Sequence, residues 1–179
     1  MIQDIVLLGL LCDGPKHGYE MKKLIEEDMG RFMELSSGPI YYALKNLESR
    51  SLVTKTVGQH GRRPERYVYQ ITKKGRQEFR NLLHRNFLTL QRPFHNLDLS
   101  LYFLKFLEPV DVLKMIRERL VSLRRVRLWA HQLEKSLRQE ARPYYLIAIS
   151  EHIRLTVGIE IDFIKNFMRS LKQYSRPGV

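Results

Sequence analysis

Two short groups of side chains in this sequence have the chemistry to read a hydrogen-bonding surface. The first is Ser36, Ser37, Tyr41, Tyr42, Lys45 and Asn46, gathered around Gly38-Pro39-Ile40. Asn can pair bidentately with adenine, and Lys favours the acceptor atoms of guanine. The second is His60, Arg62, Arg63 and Arg66, spaced by Gly58, Gly61 and Pro64. Arginines on a loop tip can reach a phosphate ridge or enter a narrow minor groove, where the potential is negative. Each group also has a plain reading. The first could be a surface helix with tyrosines packed on a neighbour, the second a polar loop with solvated charges. A helix followed at once by a basic hairpin is more specific than either part, and it is the order of a winged helix-turn-helix.

The elements that would hold these groups follow from periodicity. Ile40, Leu44, Leu47 and Ser51 fall on one side of a helix, and Tyr42, Lys45, Asn46 and Ser49 on the other, with Tyr41 on the flank. Ser36 or Ser37 can cap that helix, and Pro39 is acceptable in its first turn. Leu52 to Val57 and Arg66 to Thr72 alternate as strands, with Val53, Tyr67, Tyr69 and Ile71 in the pattern. Upstream, Ile2 to Cys12 predicts a helix that is apolar nearly all round, ended by Asp13-Gly14-Pro15. A second helix is expected from about His17 to Met29, with His17 positioning its start. Downstream, Thr72 is a plausible N-cap for a fourth helix to about Leu90, with Phe79, Leu82, Leu83, Phe87 and Leu90 as its apolar stripe.

The chain divides near residue 93, at Arg92-Pro93-Phe94-His95-Asn96. This predicts a winged helix-turn-helix DNA-binding domain over 1–92 and a helical dimerisation and effector domain over 93–179. The fold class expected is α+β, mostly α, with the C-terminal part all helical. Glu108-Pro109 opens one long helix, with apolar positions at Leu113, Ile116, Leu120, Leu123, Val126, Ala130, Leu133 and Leu137. Another starts near Pro143 and carries Leu146, Ile149, Ile153, Val157, Ile161, Ile164, Met168 and Leu171. Two such helices make a thin layer, which pairing across a two-fold axis would bury.

Composition agrees with a polyanionic partner. The 179 residues carry a formal net charge of +12, which attracts phosphate backbones or anionic surfaces through long-range fields. No apolar run is long enough to span a bilayer, and no secretory leader is evident, so a cytoplasmic location is expected. Cys12 is the single cysteine and lies in an apolar run, as an inert thiol would. The six histidines are scattered, and no nucleophile elbow or phosphate-cradling glycine loop is present. Neither catalysis nor a metal or other cofactor is indicated.

Three motifs together resemble the PadR family of bacterial transcriptional regulators. They are Ile5 to Leu11 with Asp13-Gly14-Pro15 and His17-Gly18-Tyr19-Glu20; Gly38 to Glu48; and Pro64 to Gly75. The length and helical C-terminus resemble the longer branch of that family. The resemblance implies a homodimeric repressor that binds a two-fold double-stranded operator and releases it when a small ligand binds. Phenolic acids are the ligands of the founding members. Tyr41 matches a recurrent helix-three tyrosine and Arg66 a recurrent wing-exit arginine. Ser51 departs from the family by replacing a glycine after helix three, and Tyr67 by standing where a basic residue is frequent.

On this reading Ser37, Tyr42, Lys45 and Asn46 face the major groove. Lys16, Tyr41, Arg62, Arg63 and Arg66 hold backbone, with Ser36 and His60 beside them. An aromatic or acidic effector would draw on Tyr102, Trp129, Tyr145 and His152, with Arg124, Arg125 and Arg127 to attract a negative charge. Two other readings compete with this one. A winged-helix protein–protein adaptor would use the same exposed face without DNA. A basic amphipathic protein would sit on anionic membranes.

Overall fold

The computed structural model describes residues 2–32, 39–58, 66–89 and 96–174, with only the backbone described at 58, 66 and 172–174. They form two compact units, Met1–Arg92 and Pro93–Val179. Ser36, Ser37, His60, Arg62 and Arg63 lie outside the described residues, as do Leu90 and most of the expected joint.

The N-terminal unit runs α1 (Ile2–Cys12), β1 (Lys16–His17), α2 (Gly18–Glu27), α3 (Ile40–Ser49), β2 (Val53–Gly58), β3 (Arg66–Ile71) and α4 (Lys73–Leu88). The sheet is antiparallel in the order β1-β3-β2, so β3 is central. Leu7, Leu8 and Leu11 of α1 pack with Met21, Ile25, Ile40, Ala43, Leu44, Leu47, Val53, Tyr69, Ile71 and Leu82 into one core. At about 1.5–3 kcal/mol for each large apolar side chain fully buried, this core dominates the stability of the unit.

The predicted helices are present, with local corrections. Helix two begins at Gly18, because Lys16 and His17 pair with Tyr69 and Val68 as a third strand. It stops at Glu27, and Met29 falls in a following 3-10 turn. Pro39 is the N-cap of α3 and not a first-turn residue. Ser51 is exposed and not part of the buried face. It lies just past the helix with φ +59°, in the left-handed region. The Ser51 and Leu52 amides donate to Glu48 and Leu47 carbonyls at 2.8 and 2.9 Å. This is a complete Schellman closure made by serine at the position that favours glycine.

Helix α4 is capped as expected: the Thr72 hydroxyl accepts from the Gly75 amide at 2.9 Å. Gly75 has a steric reason, since a Cβ there would lie 2.0 Å from the Leu52 carbonyl oxygen. Phe87, expected in the apolar stripe, is instead exposed along with Leu88. The stripe therefore ends at Leu83 among the described residues.

The C-terminal unit runs α5 (Asn96–Tyr102), a 3-10 turn at Leu104–Phe106, α6 (Pro109–Gln139) and α7 (Tyr144–Tyr174). Short α5 takes up Asn96, which was expected in the joint. The two long helices pack on each other. Val112, Ile116 and Leu120 meet Ile161 and Ile164, with Leu123, Val157 and Met168 around them. Ala130, Leu133 and Leu137 are buried further along α6. Two expected stripe positions differ: Val112 is buried where Leu113 is only half-buried, and Val126 is exposed.

Ion pairs cross the helix pair at two levels. Arg119 Nε donates to Glu160 at 2.8 Å, and Arg154 Nε donates to Glu134 at 3.0 Å. Arg138 also donates to Glu134, and these two hydrogen bonds hold the Glu134 carboxyl below its ordinary range. Helix α6 ends in a second Schellman closure, with Ala141 at φ +50°.

Candidate nucleic-acid interface

Helix α3 has two faces of opposite chemistry. Ile40, Ala43, Leu44 and Leu47 are buried, which fixes the rotation of the helix in the core. That rotation leaves Tyr42 75% exposed and Tyr41 58% exposed, with Lys45, Asn46 and Ser49 also on the surface. The structure therefore brings Tyr41, Tyr42, Lys45 and Asn46 to one side. The Ser49 hydroxyl donates to the Asn46 backbone carbonyl at 2.8 Å, and the Asn46 side chain is exposed.

Tyr41 is held by its neighbour. A Cβ on Gly18 would approach its ring to 2.6 Å, so the first residue of α2 must lack a side chain for Tyr41 to lie there. The start of α2 is itself anchored. Glu20 accepts from the His17 backbone amide at 2.7 Å, as in a capping box. The His17 ring nitrogen Nδ1 lies 3.0 Å from the Tyr67 carbonyl; a carbonyl only accepts, so Nδ1 carries the proton. The ring also stacks on Tyr19 at 5.3 Å. His17 thus ties β1, the start of α2 and β3 together. Lys16, beside it in β1, is half-buried.

At the far end, α3 is tethered to two other helices. Arg50 pairs with Asp4 of α1 at 2.8 Å and lies 3.7 Å from Glu78 of α4. The Lys74 ammonium donates to the Arg50 carbonyl at 2.9 Å. Exposed pairs of this kind add little stability individually. Their effect here is to set where the helix ends.

The hairpin carries a cation that sequence reasoning missed. The Lys55 ammonium lies 3.5 Å from the centre of the Tyr67 ring, a cation–π contact. Tyr67 stands where a basic residue is frequent in the family it resembles, yet the hairpin still presents positive charge beside it. The signal was available: Lys55 opposes Tyr69 in the ladder, so Tyr67 is its diagonal neighbour. Tyr69 is buried, which with the nearby Glu48 pushes its hydroxyl pKa up and keeps it neutral.

The effector candidates are less concentrated. Tyr102 and Tyr145 are exposed and lie edge-on to Phe103 and Tyr144; Trp129 and His152 are exposed as well. None of the four lines the cavity formed by Arg124, Arg127, Leu128, His131 and Arg154, or the one formed by Leu97, Asp98, Thr156, Ile159, Glu160 and Phe163.

Residues 7–81 match the Transcriptional regulator PadR-like family. Through this segment the chain is similar to PadR-like transcriptional regulators. That family consists of transcriptional regulators and not enzymes. The negative transcriptional regulator PadR of Bacillus subtilis is 26% identical over 114 residues, which is 64% of this chain and 63% of that protein. The probable transcriptional regulator Rv1176c of Mycobacterium tuberculosis is 36% identical over 73 residues, 40% of this chain and 38% of that one. The match thus spans less than two thirds of either relative.

Likeness of fold extends further than likeness of sequence. The crystal structure of Bacillus subtilis PadR with operator DNA has a TM-score of 0.78 to this chain at 18% identity, covering 96% of this chain and 99% of that one. The same protein with p-coumaric acid has a TM-score of 0.73 over the same shares. The fold is that of a PadR-like winged helix with C-terminal helices. No helix among the described residues is long and apolar enough to cross a membrane.

Proposed function

We propose that this PadR-like protein is a homodimeric, sequence-specific repressor that leaves its operator when a small ligand binds. The observation that carries the proposal is the outward face of α3. Its tyrosines, Lys45 and Asn46 are presented by a core that fixes their direction, in a fold also seen bound to operator DNA. An ordinary solvated helix face would be richer in Lys and Glu.

In this reading Ser37, Tyr42, Lys45 and Asn46 meet base edges. Lys16, Ser36, Tyr41, His60, Arg62, Arg63 and Arg66 serve mainly the backbone, and Lys55 on Tyr67 joins them. Base contacts specify and phosphate contacts position.

Dimerisation is supported by what the C-terminal helices leave uncovered. Leu155, Ile159 and Phe163 repeat every four residues on α7 and are all exposed, with Val121 and Leu128 exposed on α6. A second copy is the occupant that a regulator reading a two-fold operator requires. Its recognition helices would sit about 34 Å apart to meet successive major grooves. A ligand that prefers a dimer of different spacing lowers occupancy by its differential affinity. Exposed Tyr102, Trp129, Tyr145 and His152 would become pocket walls once a second copy covers them, and an aromatic acid such as the p-coumaric acid bound by the Bacillus protein suits rings of this kind.

The test is a fluorescence-anisotropy titration against the protein's own upstream DNA and a scrambled duplex, at physiological salt with competitor DNA. Promoter binding tighter by about a hundredfold or more is expected of a specific regulator. Asn46→Ala should reduce that ratio. Arg63→Ala should weaken both duplexes alike and flatten the salt dependence. Binding to neither duplex at low salt would sink the proposal.

A further inference from the structure

One cavity of the C-terminal unit has a composition unlike the rest of its surface. Arg124, Arg127, Leu128 and His131 lie on one face of α6 at steps of three and four residues, and Arg154 of α7 closes the side. The cavity measures about 450 Å³, within the range of small-molecule sites. Leu128 is its single apolar lining residue, so little there would hold an aromatic ring.

The charges in it are unequally balanced. Arg154 is neutralised: its Nε donates to Glu134 at 3.0 Å, and its other arm lies 3.9 Å from Glu151. Glu134 is itself fixed by Arg138, so Arg154 is held in one orientation with guanidinium donors left over. Arg124 and Arg127 make no ion pair or hydrogen bond with any described residue. Two guanidinium charges therefore face the same concavity without a counter-charge. Such an arrangement costs electrostatic repulsion, and a bound anion would relieve it.

We infer that this cavity binds a phosphomonoester, the phosphate lying between Arg124 and Arg127 with Arg154 and His131 as further donors. Charge selects the class. A phosphomonoester carries about −1.5 to −2 at neutral pH, matching two uncompensated arginines, whereas a monocarboxylate would leave one charge unmet. Planar guanidinium groups also suit phosphate oxygens geometrically, each offering paired donors. The site is separate from the aromatic residues considered above, and the inference does not depend on DNA binding.

The experiment is isothermal titration calorimetry of the full-length protein with glycerol phosphate, inorganic phosphate, succinate and glycerol at constant ionic strength. Saturable binding of both phosphates is expected, with none of glycerol and weaker binding of succinate. R124Q/R127Q should weaken phosphate binding by roughly tenfold or more, as loss of charge-assisted hydrogen bonds implies. K114Q/R117Q removes the same charge from α6 outside the cavity and should leave it within about twofold. All four side chains are exposed, and circular dichroism verifies the fold. Equal losses in the two double variants would reduce the effect to general charge and overturn the site. So would succinate binding as well as phosphate. Failure of any phosphate to bind, with R124Q/R127Q instead weakening duplex DNA, would assign these arginines to nucleic acid.

Discussion

The two units of this chain spend their apolar residues in opposite ways. In the N-terminal unit, α1, α2, α3, α4 and the sheet surround one core, and buried apolar side chains outnumber large exposed ones among the described residues. In the C-terminal unit the balance is reversed. Two helices of 31 residues each can cover only the stripe where they touch, and Leu155, Ile159, Phe163, Val110 and Tyr102 stay in contact with water. The lesson concerns layers. Several short elements at different angles can enclose a core within one chain, but a pair of long helices cannot, and its outer faces remain for something else to cover. The exposed aromatic and polar groups of α3 are a different case. There the buried face is complete, so the exposed face is not an unfinished core.

Substitutions can break this contrast or sharpen it. The largest effect is expected from Gly75→Ala, whose methyl would meet the Leu52 carbonyl. It should destabilise the N-terminal unit by about 3 kcal/mol, the upper range for overpacking. Thermal unfolding followed by circular dichroism should then show one early transition with the long helices persisting. Loss of both units together would mean that they are one cooperative body.

Next is I159E/F163E on the exposed stripe of α7. It should leave the unfolding of the N-terminal unit unchanged and weaken self-association by roughly 2–4 kcal/mol, the size of an interface hot spot. Light scattering after size exclusion reads this directly. An unchanged dimer would move the interface elsewhere.

Ser51→Gly and Ala141→Gly form a matched pair, one cap in each unit. Relief of a left-handed non-glycine residue should stabilise each by about 0.5–1 kcal/mol after the entropy that glycine adds to the unfolded chain. Denaturant midpoints measure both. A gain at Ser51 alone would show that the C-terminal cap is frayed in the native protein.

The smallest effect is a pH dependence. The folded-state pKa of Glu134 is depressed, first by its hydrogen bonds to Arg138 and Arg154. Its contribution is therefore present above the unfolded carboxylate value, near pH 4.3, and disappears as pH falls through the lower folded value. Glu134→Gln should make the stability of the helix pair flatter across this acidic window and slightly lower at neutral pH. Parallel curves for the two proteins would remove the carboxylate from the linkage between α6 and α7.

Much of the fold was legible because its signals are local. α1 ends where Asp13-Gly14-Pro15 stop it, Thr72 caps α4, and Pro109 opens α6. The outward face of α3 was equally legible, since a 3.6-residue period separates Tyr42, Lys45 and Asn46 from Ile40, Leu44 and Leu47. Other features depended on partners distant in sequence. β1 is two residues long, too short for any period, and exists because β3 offers it an edge. Phe87 and Val126 fit their stripes by spacing and are exposed because no opposing element reaches them. The conformations of Ser51 and Ala141 oppose their own preferences and are imposed by the helix ends.

By itself, then, the sequence determined the order of elements, their periodic faces and the chemistry placed on them, because those depend on neighbours a few residues apart. Only the tertiary structure decided which apolar faces found cover, why Gly75 must be glycine, that Gly18 leaves room for the Tyr41 ring, that Lys55 rests on Tyr67, and that Arg154 joins Arg124 and Arg127 around one cavity. Each of these depends on atoms brought together from distant parts of the chain, and no local pattern records that distance.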